Sequence, residues 1–230
     1  MGYFATWLPS SNIELGDIGV LDAGRFRRVG SLKELGIKHP DVREGNPENV
    51  SYSASAKRNE GASGGASAPV VAGRAELSIK FTSQGGYVFE AISMRHVEIA
   101  DRLALAESLL EAFKKGRWQE EWLLVESFYN AGSATIIVSE DTTSEVVLKA
   151  SAAVPLGTLP LADPKLGLTV ASSTGKVVHC VAANNLRPLY SCVKVRDPLI
   201  GKPSVVPVRG ASEDRTRALR RLSIDDLLDS

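Results

Sequence analysis

Hydrophobic and polar positions recur along this chain with two periods, and the change of period marks the elements. VSYSASAK at 50–57 sets Val50, Tyr52, Ala54 and Ala56 on one face and Ser51, Ser53, Ser55 and Lys57 on the other. That period of two predicts a strand with one covered face. AELSIKFT at 75–82 repeats it, with Ala75, Leu77, Ile79 and Phe81 alternating with Glu76, Ser78, Lys80 and Thr82. Between them RNEGASGGASAPVVAG at 58–73 is rich in Gly, Ala and Ser. It reads as a flexible hairpin connection, or as a loose segment able to lengthen a hairpin. YVFEAISM at 87–94 is a further strand.

The period then lengthens. HVEIADRLALAESLLEAFKKG predicts an amphipathic helix over 96–116, with Val97, Ala100, Leu103, Ala104, Leu110 and Phe113 as its apolar stripe and Ala106 and Leu109 widening it. Acidic residues dominate early and Lys114, Lys115 and Arg117 come late, as the helix dipole favours. Gly116 suits the position after the last turn.

Downstream, LLVESFY at 123–129 and ATIIVS at 134–139 read as two strands joined by a turn at Asn130–Ala131–Gly132. SEVVLKASA at 144–152 reads as the next strand, with 141–143 as a hairpin tip. LTVASS, KVVHCVA and YSCVKVRD at 168–173, 176–182 and 190–197 close the sheet, and SSTG at 172–175 joins two of them at hairpin length. Near the start, 17–35 reads as two short extended pieces, and SLKELG at 31–36 as a single helical turn that Ser31 caps and Gly36 ends. Tyr3, Phe4, Trp7 and Leu8 suggest an arm packed on the body. The expected fold class is α+β: a twisted, mostly antiparallel sheet with packed helices.

Residues 1–197 are expected to form the body and 198–230 a linker and short C-terminal segment. Residues 201–216 are linker-like, and RALRRLSIDDLLDS at 217–230 has an apolar side made by Leu219, Leu222, Ile224, Leu227 and Leu228. That segment reads either as a locally docked helix or as a detachable inhibitory peptide. A helix so short is marginal alone and needs a surface to lean on.

Composition narrows the function classes. With 230 residues the chain buries a sizeable core without metal or disulfide. Its 27 basic and 27 acidic residues balance, which argues against broad nucleic-acid binding. Cys180 and Cys192 lie in apolar runs and read as buried free thiols. His39, His96 and His179 form no metal-ligand motif, and His179 and Cys180, adjacent on a strand, face opposite ways. GASGG at 61–65 lacks the GKS or GKT of a phosphate loop. No enzyme chemistry and no cofactor is expected. Trp118 and Trp122 read as core anchors or an interface. The N-terminus lacks a basic leader, no run reaches the apolar length of a spanning helix, and Gly2 with Thr6 matches only a loose myristoylation pattern.

In its order of elements the chain resembles the pore-forming amino-terminal domain of the gasdermins, above all the compact bacterial members. FRRVGSLKELG at 26–36 is similar to their early strand with a short helical turn. The strands at 50–57 and 75–82 around a loose segment look like a pair of extendable strands. LAESLLEAFKKG at 105–116, then EWLLVESF and ATIIVS, resembles their helix and strand pair. PLYSCVKVRD at 188–197 looks like the closing strand, and 198–230 stands in the place of an inhibitory tail. The lipid-modified cysteine common near the N-terminus of bacterial members has no counterpart here, and no basic lipid-binding surface stands out.

What the resemblance implies is a gasdermin-N-like, autoinhibited precursor, cytoplasmic until activated and then at the membrane, acting in cell death and antiviral defence. An activating protease would remove the tail. The freed domain would self-associate into a large oligomer, engage membrane lipids and insert hairpins. Val50, Tyr52, Leu77, Ile79 and Phe81 are the membrane-insertion candidates of the first hairpin, and Leu124, Phe128, Ile136 and Val138 those of the second. The inhibitory-tail candidates are Leu219, Leu222, Ile224, Leu227 and Leu228. The competing reading is a non-catalytic homo-oligomeric binding or structural protein.

Overall fold

The computed structural model describes residues 4–5, 13–22, 25–38, 41–54, 56–62, 74–153, 160–199 and 201–208. Their strands, in chain order, are β1 (Phe4–Ala5), β2 (Asp17–Asp22), β3 (Arg25–Ser31), β4 (Val42–Glu44), β5 (Glu48–Ala54), β6 (Ala56–Ala62), β7 (Arg74–Phe81) and β8 (Tyr87–Ile99). The helix α1 (Arg102–Lys114) follows, then β9 (Leu123–Ser139), β10 (Glu145–Ala153), β11 (Thr169–Thr174), β12 (Val177–Arg196) and β13 (Ser204–Pro207). The fold is α+β, with a twisted, mostly antiparallel sheet and a packed helix. One sheet runs β1-β12-β9-β2-β3, with β13 on β12, β8 on β9, and β4 and β5 on β8. The other runs β11-β10-β7-β6.

The chain divides into two compact units. Of the described residues, the first takes in those up to 46, 95–130 and 187–208, the second those within 47–94 and 131–186. In the first, Leu105, Leu109 and Ala112 of α1 bury against Ile18, Leu32, Ile99, Leu124, Val193 and Val195. A neighbouring cluster gathers Val97, Leu123, Val125, Phe128, Tyr190 and Cys192. In the second, the core is built from both sheets. Leu77, Ile79, Val146 and Leu148 come from the four-stranded sheet, and Val88 and Ile137 from β8 and β9. Leu161, Leu166 and Leu168 of the connection after β10 close that core. Strands β8, β9 and β12 give residues to both units. Ser93 on β8 and Asn185 on β12 each take φ of 53°, in the left-handed region.

The structure corrects several expectations. The helix starts at Arg102, not at His96: Asp101 caps it, accepting from the Ala104 amide at 2.9 Å. Residues 96–99 are strand, because Val97, Glu98 and Ile99 find register partners in Glu44, Arg43 and Val42. Strand pairing decides where a local period fits both shapes. The buried stripe is accordingly Leu105, Leu109 and Ala112, whereas Leu103 is 81% exposed.

Asn130–Gly132 is no turn either, for β9 runs unbroken through it. A Cβ on Gly132 would meet the Ile92 carbonyl and the Ser93 Cβ at 3.4 Å, an ordinary contact, so this glycine marks neither a reversal nor an unusually close approach. The runs at 176–182 and 190–197 likewise belong to one strand, β12. The expected hairpins at 141–143 and 172–175 do not pair as such: β10 and β11 lie in the four-stranded sheet, β9 and β12 in the other. Each of these links carries the chain from one layer to the next around the core that Ile137, Val146, Val170 and Val177 share.

Residues 50–57 are not one strand. Strand β5 ends at Ala54 and β6 begins at Ala56, β5 pairing β8 and β6 pairing β7. Strand β6 also reaches Ala62, into the stretch expected to be loose. Within 201–216, residues 204–207 are strand rather than linker, with Val205 paired to Val195 and packed on the first unit's core.

The single turn at 31–36 is present: the Ser31 hydroxyl accepts from the Glu34 amide at 3.3 Å, and Gly36 takes φ of 69°. Trp118 is buried in the first unit's core, edge-on to Trp122 with ring centres 5.7 Å apart.

Candidate functional site

The four-stranded sheet is two hairpin-like pairs set side by side, β6 with β7 and β10 with β11, joined where β7 meets β10. Its two inner strands are sharply two-sided. On β7 the buried residues are Leu77, Ile79 and Phe81; on β10 they are Val146, Leu148 and Ala150. The pairing sets Leu77 opposite Leu148 and Ile79 opposite Val146, which makes one continuous apolar face.

The outward face is charged and matched in sign. Lys80 stands opposite Glu145 with their charged groups 3.6 Å apart, and Glu76 opposite Lys149 at 3.7 Å. The Ser78 hydroxyl donates to Glu145 between them. These ion pairs are half-exposed and add little stability. What they do is make the outer face wet and self-complementary while the inner face stays dry.

The structure sorts the sequence-derived candidates into different places. Leu77, Ile79 and Phe81 lie together on the dry face of β7. Val50 is half-buried on β5, and Tyr52 is 57% exposed, stacked on Phe89. Ile136 and Val138 are buried on β9, on the side opposite Ile137. Leu124 and Phe128 sit in the cores of the first unit, with the Arg187 guanidinium 4.5 Å from the Phe128 ring centre. Leu219, Leu222, Ile224, Leu227 and Leu228 lie outside the described residues. Sequence reasoning passed over Val146, Leu148 and Ala150, although EVVLKAS alternates as clearly as AELSIKF does.

Two searches on sequence returned nothing: no family model matches the chain, and no curated protein does. A solved structure does. The chain is similar to the cryo-EM structure of the gasdermin A3 membrane pore, over 92% of this chain and 88% of that one, at 12% identity and a TM-score of 0.39. That is the family the order of elements resembles. A likeness of this size transfers no residue role, so the roles of residues are read from the chain's own geometry.

Among the described residues no three His, Cys, Asp or Glu gather as metal ligands. No described helix is long and apolar enough to cross a membrane, which says nothing of strands. Cys192 is buried and Cys180 half-buried, and burial pushes both thiols up, away from the reactive thiolate.

A polar cleft of about 520 Å³ in the first unit is lined by Arg43, His96, Glu98 and Arg102. Glu98 is the hub. Its carboxylate accepts from Arg43 Nε at 2.9 Å and from Arg102 Nη2 at 2.9 Å, while Arg102 Nε stands 3.5 Å from Glu126. Each cation here has an acidic partner, so the cleft is a closed ion network, not an unsatisfied anion site.

The network does set a pH dependence. The Arg43 hydrogen bond, aided by the Arg102 charge, holds Glu98 below its ordinary 4.5 against the opposing effect of burial. Burial is the main cause that holds His96 below 6.5, with Glu98 opposing it. Both groups therefore bind protons less readily folded than unfolded. The stability these two groups contribute should be complete above 6.5, fall below that as His96 is forced to charge, and fall again below 4.5 as Glu98 takes up its proton. Urea unfolding midpoints from about pH 8 to about pH 4 should decline in that sense. His96→Gln should flatten the upper part of the decline and leave the lower part.

Proposed function

We propose that the chain is an autoinhibited pore-forming protein which, once a protease removes a short C-terminal segment within 198–230, oligomerises and permeabilises membranes. The observation that carries this is the two-faced sheet of β6, β7, β10 and β11. A strand that crosses a bilayer in a barrel needs an outward apolar row and an inward polar row over about 9–11 residues. Strand β7 has 8 residues and β10 has 9, with that alternation already in place. Residues 63–73, small and uncharged, provide chain that can lengthen β6 and β7.

In water the apolar row must be covered, and the second unit's own core covers it. In lipid the same row would face the acyl chains, and the Glu76–Lys149 and Lys80–Glu145 pairs would line an aqueous lumen. Free edges are not tolerated in a bilayer, so neighbouring copies would have to pair edge to edge and close a ring. On this reading the precursor is cytoplasmic and its partners after activation are membrane lipids and copies of itself.

The test is dye release from liposomes. A chain carrying an engineered protease site within 209–216 should be inert when intact and should release dye after cleavage. Release by neither form refutes the proposal. A defined oligomer that leaves vesicles sealed after cleavage would instead favour the homo-oligomeric binding protein.

A further inference from the structure

Between the two layers of the second unit lies a charged group that the amphipathic sheet itself does not need. Glu90 on β8 shares a face with Val88, two residues away, and that face meets the core. The Glu90 residue is 8% exposed. Burying a carboxylate so deeply is costly unless each oxygen is matched. Both are. Oε1 pairs with Arg58 Nη1 at 2.6 Å, with the Ser51 hydroxyl at 3.4 Å. Oε2 accepts from the Leu161 amide at 2.7 Å.

The positions of these partners matter more than their number. Arg58 is on β6, the outer strand of one hairpin. Leu161 is in the connection between β10 and β11, the other hairpin. The same connection is held a second time from β9, where Thr135 and Ser133 donate to the carbonyls of Leu161 and Ala162 at 2.6 Å each. One carboxylate on the underlying sheet therefore fastens both halves of the overlying one.

The geometry points to Glu90 as a polar latch that holds the β6–β7 and β10–β11 pairs onto the body, with Arg58 and the Leu161 amide as its two catches. Apolar contact alone grips without direction. The latch fixes where the sheet sits, and it makes release of one hairpin weaken the hold on the other, because either departure leaves a buried charge short of a partner. This inference is independent of the pore reading, since it concerns the intact chain in water.

Hydrogen exchange of the full chain tests it. Glu90→Ala removes both catches, so amides of β6, β7 and 160–168 should exchange faster by roughly tenfold or more, with α1 unchanged. Glu90→Gln keeps an oxygen for the Leu161 amide but offers Arg58 no charge. It should speed β6 and β7 most and 160–168 to a smaller degree, and it carries the test if the alanine variant does not fold. No change in either variant, a change confined to one segment in Glu90→Ala, or an equal rise in α1 would overturn the latch.

Discussion

Leu148→Ala should lower the stability of the intact chain by about 2–5 kcal/mol, the range for a fully buried leucine whose surroundings collapse only in part. Leu148 is wholly buried, opposite Leu77 and in the centre of the core that Ile79, Ile137, Leu161 and Leu166 complete. Both layers are sheets held by ladder hydrogen bonds, so neither can move inward freely to fill the void. Urea unfolding followed by circular dichroism gives the loss directly. Exchange should rise first in β7 and β10, since the cavity opens beside them. A loss below about 1 kcal/mol would mean that the layers are not packed as described.

Leu109→Ala should cost a similar amount, about 2–5 kcal/mol, in the other unit. Leu109 is also wholly buried, at the middle of the stripe Leu105, Leu109 and Ala112. Leu103→Ala is the control. On the stripe read from sequence Leu103 would matter more than Leu105; at 81% exposure it should be nearly silent. If Leu103→Ala proved the costlier change, the phase of α1 would be wrong. Exchange in Leu109→Ala should rise in α1 and β2, not in β10, because the two leucines belong to separate cores.

The contrast between those two leucines shows how much of the fold is legible in the sequence. On β7 the dry face is readable because a strand covered on one side writes its burial directly as alternation: Leu77, Ile79 and Phe81 against Ser78 and Lys80. The helix is readable in kind, from its period and from Gly116 at its end, but not in phase. Val97 and Ala100 fit the stripe only if 96–99 are counted as helix. What makes that segment strand is its pairing with 42–44, where Arg43 meets Glu98 across a separation of 55 positions.

The other misreadings share that cause. At 50–57 the alternation continues across the point where the chain changes sheets, so nothing local records the change. At Gly132 the residue usually read as a turn lies inside the unbroken strand β9. The joining of β7 to β10 creates the two-faced sheet by setting Lys80 opposite Glu145, with β8, α1 and all of β9 between them in the chain, and it leaves no local mark. Glu90 is invisible for the same reason: a carboxylate in an apolar run is only a breach of pattern until Arg58 and Leu161 are seen beside it.

Above all, the pore reading requires the dry face of β7 and β10 to exchange a protein core for lipid. The most direct measurement places a bimane probe singly at position 79 or 80, with Cys180 and Cys192 replaced by alanine, on the chain cleaved within 209–216 and mixed with liposomes. Nitroxide-bearing lipid should quench the probe at 79, and aqueous iodide the probe at 80. No quenching by lipid at 79, in a preparation where cleavage is complete, would contradict the exchange.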